Sequence, residues 1–166
     1  MYVCGSLRAI EKGYIQKEDG EEALSCFEQM QSSGVSPDVT TFIYILKACG
    51  KIGALEKGHK IHCEFLKQGF VEKYPVLGTV LVDMYAKCGS IEKAEKVFHE
   101  LPVWDVIAWN AFISGYSRHG LDKAVLNCFE LMQLVGNTPD VATFVCILKV
   151  CCNTGDSNKG QGIHAE

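Results

Sequence analysis

Residues 106–140 read VIAWNAFISGYSRHGLDKAVLNCFELMQLVGNTPD. Trp109, Phe112, Ile113 and Tyr116 recur at the spacing of one helix face, and the Arg118-His119-Gly120 stretch then marks a turn. Val125, Phe129 and Met132 resume that spacing, and Gly136 with Pro139 stops a second helix. The stretch is therefore a helical hairpin. It carries apolar side chains on both sides, which only a neighbouring hairpin can cover.

Outward from this hairpin, the same residues return at a separation of 102 positions. Gly13 and Tyr14 match Gly115 and Tyr116, and Phe27 and Met30 match Phe129 and Met132. Gly34, Pro37 and Asp38 match Gly136, Pro139 and Asp140. Phe42, Leu46, Lys47 and Cys49 match Phe144, Leu148, Lys149 and Cys151, while Gly58, Ile61 and His62 match Gly160, Ile163 and His164. The long period contains three units, 4–38, 39–74 and 75–105, of 35, 36 and 31 residues. The cycle restarts with 106–140 and a partial unit, 141–166. Stacked hairpins bury one another's apolar faces, so the expected fold is all-α: a right-handed α-solenoid of helix-turn-helix repeats, one array over 1–166, with a concave groove. The last unit has no capping partner, so its end is expected to fray or to associate with another copy.

Composition is that of an ordered chain, with 48% hydrophobic and 22% charged residues among 166. No apolar run reaches the ~20 residues of a membrane helix, so no membrane partner is expected. Met1 to Glu11 lacks the basic and apolar segments of a signal peptide and is too short for an organelle transit peptide. The net charge of −4 argues against a broad, non-specific grip on phosphate but leaves room for a narrow basic strip. The nine cysteines are scattered, with no Cys-x-x-Cys pair, which removes zinc-ribbon and thioredoxin-type sites. Several fall on apolar helix stripes, where a reduced thiol packs as a small hydrophobe.

No catalytic constellation stands out. His164-Ala165-Glu166 mimics the start of a zinc-deaminase signature, but no Pro-Cys-x-x-Cys follows, and His62 repeats the histidine in an earlier unit. Cys88 has no evident base beside it, and His59, His99 and His119 lack metal-ligand spacing. There is no phosphate-cradling glycine loop. No enzyme activity, cofactor or metal is expected.

Repeats near this period include the ankyrin, tetratricopeptide and pentatricopeptide types. The Thr-Pro-Leu-His string of ankyrin is absent, and a fixed unit of ~34 residues, as in the tetratricopeptide, does not hold. Val106 to Tyr116 resembles the opening of the standard pentatricopeptide unit. Leu46-Lys47-Ala48-Cys49 with Gly53 to Gly58 resembles its long variant, and Leu81 to Glu92 its short variant. The resemblance covers essentially the whole chain. Alternating standard, long and short units resemble the PLS subclass of plant organelles, mitochondrion or chloroplast, which mostly supplies site recognition for cytidine-to-uridine RNA editing. The implied partner is single-stranded RNA, read at one base per repeat, together with other RNA-editing proteins. A helical scaffold for proteins, or a splicing or stability factor, are the alternatives.

In that family the fifth and last residues of a unit select the base. Here these are Arg8 with Asp38, Ile43 with Tyr74, Thr79 with Asp105, Asn110 with Asp140, and Val145 in the partial unit. The resemblance implies G for Thr79/Asp105 and U, then C, for Asn110/Asp140. An amide that both donates and accepts suits a pyrimidine edge. Arg8/Asp38, at base-selecting places, is not a standard pair, and a surface ion pair worth little is its alternative reading. Ile43 and Val145 cannot hydrogen-bond a base. Val76, Ile107 and Ala142, at second positions, would sandwich bases. Lys87 and Arg118, with Lys51, would meet phosphate. Without the resemblance, Asn110 reads as a polar residue at a helix N-terminus, Asp105 and Asp140 as caps of the following helices, and the cations as solvated turn residues.

Overall fold

A computed structural model describes residues 19–67 and 74–154. Arg8, the first helix expected in 4–38, the second helix expected in 141–166 and its end at Glu166 lie outside the described residues.

Among the described residues every regular element is a helix. In chain order these are α1 (Asp19–Ser32), α2 (Val39–Ile52), α3 (Leu55–Lys67), α4 (Pro75–Lys87), α5 (Ile91–Glu100), α6 (Val106–Arg118), α7 (Asp122–Leu134) and α8 (Val141–Thr154). Local chemistry explains the starts and stops. Asp38 and Asp105 cap α2 and α6, their carboxylates accepting from the backbone N–H of Thr41 and Ala108. Pro75 opens α4, where its missing N–H costs nothing. Gly53 ends α2 at φ 73°, a left-handed conformation that side chains resist, and its N–H returns to the Cys49 carbonyl.

The even-numbered helices form one layer, α2 against α4, α4 against α6 and α6 against α8. The odd-numbered helices form a second layer: α1 packs on α2, and the others sit in the clefts between two even ones, α3 between α2 and α4, α5 between α4 and α6, α7 between α6 and α8. No two odd helices are in backbone contact among the described residues. The inner layer thus carries the continuity of this solenoid.

The sequence period is reproduced in the packing. Phe27 meets Phe42 edge-on at 6.1 Å between ring centres, and Phe129 meets Phe144 in the same way at 6.2 Å. Between these two joints, Phe98 of α5 stacks on Phe112 of α6 at 4.4 Å and meets Trp109 edge-on at 4.9 Å. The fully buried rings among them, Phe42 and Phe98, each contribute roughly 1.5–3 kcal/mol of hydrophobic stabilisation. Tyrosine hydroxyls tie one hairpin to the next. Tyr85 of α4 bonds His62 (2.8 Å) and His59 (3.0 Å) of α3, and Tyr116 of α6 donates to Glu95 of α5. The inner helices approach closely at Gly115, where an added Cβ would lie 2.6 Å from that of Ala86. That contact sets the close spacing of α4 and α6 at their last turns.

Candidate nucleic-acid interface

The first turns of α4, α6 and α8 open side by side onto a groove of about 730 Å³. Val76 and Thr79 from α4, Asp105 at the cap of α6, Ile107 and Asn110 from α6, and Ala142 from α8 all line it. These are six of the residues singled out in the sequence, and side-by-side packing of the inner helices brings them together. Val76 and Ile107 are 52% and 69% exposed, so these apolar side chains face the groove rather than the core. They form successive ridges with polar groups set between them.

Asn110 and Asp140 are joined directly. The Asn110 Nδ2 donates to Asp140 Oδ1 at 2.9 Å, and the Thr143 hydroxyl donates to Asn110 Oδ1 at 2.6 Å. Asp140 also accepts the Thr143 backbone N–H at 3.0 Å, which caps α8. That backbone bond, followed by the bond from Asn110, holds the Asp140 carboxyl below the usual carboxylate range. Asp140 is therefore at once cap and partner of Asn110. An amide has two N–H donors and two acceptor lone pairs. One of each is used internally, which leaves one donor and one acceptor for a ligand.

The second pair is built differently. Asp105 Oδ1 accepts the Ala108 N–H at 2.8 Å, and no hydrogen bond joins it to Thr79 among the described residues. Both side chains line the groove. Asp38 lies at the start of α2, where the Thr41 hydroxyl and backbone N–H both reach Oδ1 at 2.7 Å and lower its pKa, the hydroxyl contributing most. Its expected partner Arg8 is outside the described residues. Tyr74 precedes α4 without a side-chain cap bond, Ile43 is half-buried, and Val145 lines the groove at 60% exposure.

The three candidate phosphate-binding cations lie at the far ends of the inner helices: Lys51 on α2, Lys87 on α4 and Arg118 on α6. Arg118 is exposed. Lys87 is already engaged, its Nζ standing 2.5 Å from Asp83 Oδ2 one turn earlier. Lys47, Asp83 and Ser114 occupy equivalent places on the groove wall, so its charge runs from positive through negative to neutral along the array.

Three contributors escape the sequence reading. Thr143 could have been found from its match at the long period to Thr41, three residues after an equivalent aspartate. Asp83 was visible as a carboxylate four residues before Lys87. Val103 joins the groove from the loop before α6, with no periodic signal to announce it. Elsewhere, no group of three or more histidine, cysteine or acidic residues suited to a metal ion occurs among the described residues. The described cysteines are free thiols: Cys49, Cys128 and Cys151 are buried and Cys152 is exposed. Burial pushes Cys49 and Cys128 up to about 12. No helix among the described residues is long and apolar enough to cross a membrane.

Comparison with known proteins places this geometry in a family. The Arabidopsis thaliana pentatricopeptide repeat-containing protein At2g33680 is 40% identical over 148 residues, 89% of this chain and 20% of that protein. A second Arabidopsis relative, named as the mitochondrial pentatricopeptide repeat-containing protein At2g22410, is 38% identical over 152 residues, 89% of this chain and 21% of its own. The chain thus spans about a fifth of the length of these curated relatives. Among solved structures, the pentatricopeptide repeat protein PPR10 in complex with an 18-nucleotide psaJ RNA element superposes with a TM-score of 0.68. It is 25% identical to this chain, over 76% of this chain and 19% of that one. The model described as the PPR repeat family matches residues 12–70 and 104–153, and that of the PPR repeat matches 79–106. With most of its length matched and its helices stacked in the same way, the chain belongs to the PPR repeat family.

Proposed function

We propose that this chain binds single-stranded RNA in the groove of α4, α6 and α8. Thr79/Asp105 and Asn110/Asp140 each face one base, and bases slot between the ridges of Val76, Ile107 and Ala142. The observation that carries this reading is the shared groove, in which hydrogen-bonding side chains alternate with exposed apolar ones. Unpaired bases need that alternation: an apolar surface for their faces and a polar group for their edges. The RNA-bound PPR10 structure supports it by fold and arrangement. Arg118, with Lys51 and Lys87, would meet phosphate.

The pairs read G followed by U or C, running 5′ to 3′ with the chain. Biologically, the chain serves as part of a site-recognition factor in organellar RNA metabolism such as cytidine-to-uridine editing, alongside other editing proteins. The order of standard, long and short units supports that role.

Fluorescence anisotropy tests the binding. A short RNA with G-U at its centre is expected to bind more tightly than one with A-A there, and more tightly than the same strand in duplex. Asn110→Ala and Thr79→Ala are expected to erase the preference. Equal binding of all three probes would contradict the proposal. A second reading, a scaffold for an extended peptide, is favoured by the net charge of −4 and by the apolar exposure of Val103 (69%) and Val145. Under that reading, neither RNA would bind at physiological salt.

A further inference from the structure

The Asn110 amide is not held by Asp140 alone. Thr143, two residues past the start of α8, is completely buried, and its hydroxyl lies 2.6 Å from Asn110 Oδ1 and 3.2 Å from Asp140 Oδ1. A hydroxyl has one proton to give. The shorter contact takes it, and a hydroxyl lone pair accepts the Asp140 backbone N–H at 3.2 Å. The carboxylate can only accept, so the nitrogen of Asn110 must face Asp140 and its oxygen must face Thr143. Both ends of the amide are thereby fixed, one from the residue before α8 and one from within it. Water cannot replace the Thr143 hydroxyl, because the residue has no exposed surface.

Resting on the RNA reading above, we infer that Thr143 is a positioning residue for base selection by Asn110, supplied by the repeat that follows. A fixed amide presents its remaining donor and acceptor in one order. An amide free to rotate presents them in either order and discriminates less between base edges. The other pair has no such brace: Ala108 stands where Thr143 would, three residues after Asp105, and offers only its backbone N–H. Thr41 holds the same place after Asp38, its hydroxyl 2.7 Å from that carboxylate. The brace therefore belongs to particular repeats, and the base opposite Asn110 is discriminated more sharply than the base opposite Thr79.

The test compares affinities of the whole chain for two RNAs differing only opposite Asn110, U in one and A in the other. Thr143→Val keeps the shape and removes the hydroxyl. The U-to-A affinity ratio is expected to fall roughly threefold to tenfold, the range set by the net worth of one neutral hydrogen bond. Thr143→Ser should keep the wild-type ratio, and Thr143→Cys, with its weak donor, should fall between. Thr143 also braces the first turn of α8, so binding is measured below each variant's melting temperature. A loss of stability alone scales both affinities together and leaves the ratio unchanged. If Thr143→Val does not fold, the Cys and Ser variants decide by the same ratio. A discriminating wild type whose ratio survives loss of the hydroxyl would overturn this inference while sparing the RNA reading. A wild type indifferent to the base would overturn both.

Discussion

Replacing Asp83 by asparagine is expected to weaken the fold slightly and strengthen RNA binding. The Asp83–Lys87 pair sits one helical turn apart on α4, with its side chains 26% and 32% exposed. Solvent screens a pair that open, so losing it costs under about 1 kcal/mol of stability. The same loss frees the Lys87 ammonium for a phosphate and removes a negative charge from the groove wall. A unit-charge contact near 4 Å is worth ~1 kcal/mol in water and more beside protein. An affinity gain of roughly fivefold follows, with the salt dependence steeper by about 0.7, the single-strand value for one added phosphate contact. Anisotropy titrations at several salt concentrations read both quantities, and circular dichroism reads the melt. Adding Lys87→Met to the Asp83→Asn variant should cancel the gain, which separates a freed lysine from a mere change in net charge. Unchanged affinity and slope in Asp83→Asn would refute Lys87 as a phosphate contact.

Three further outcomes follow from the packing and from the buried titratable groups. Gly115→Ala places a methyl 2.6 Å from the Ala86 Cβ, so α6 must move off α4. Overpacking of this kind costs about 1–3 kcal/mol, against a helix-propensity gain of up to about 1; a melting temperature at or above wild type would contradict the close approach. His62 is held down to about 4 by burial and by nearby His59, Lys93 and Lys96, below its ordinary 6.5. The unfolded chain therefore takes up that proton first, and the stability present above pH 6.5 is lost as pH falls toward about 4. His62→Gln should flatten the fall in melting temperature over that window, and an unaltered profile would count against it. Cys49 and Cys128 should resist alkylation in the folded protein while Cys152 reacts, as mass spectrometry of iodoacetamide-treated protein would reveal.

Much of the fold was legible because it repeats. Phe27, Phe42, Phe129 and Phe144 stand at matching places in the sequence, and their two ring contacts match to 0.1 Å (6.1 and 6.2 Å). Aspartate before a helix and glycine after one speak through local backbone chemistry, so the starts of α6 and α8 were open to reading. The candidate groove was legible for another reason. Val76, Ile107 and Ala142 are apolar at helix starts where burial is not required, and the family resemblance gave those places a role. What stayed hidden depends on distance across units. Nothing near Asn110 in sequence shows that its amide meets Asp140, 30 positions on, or Thr143, 33 positions on. The two readings of Asp140, helix cap and partner of Asn110, are compatible because one oxygen accepts from both. Lys87 was read by its place in the repeat, and its pairing with Asp83 shows that place alone does not leave a cation available.

RNA bound as proposed lies in the groove of the inner helices with one base at Asn110. Photocrosslinking of an RNA carrying 4-thiouridine immediately after the central G, followed by mass spectrometry of the digested adduct, tests it most directly. Adducts are expected to be confined to the first turns of α6 and α8, around Ile107, Asn110 and Ala142, and to be competed away by unlabelled RNA. Adducts on α5 or α7, the outer layer, would place the RNA elsewhere and contradict it.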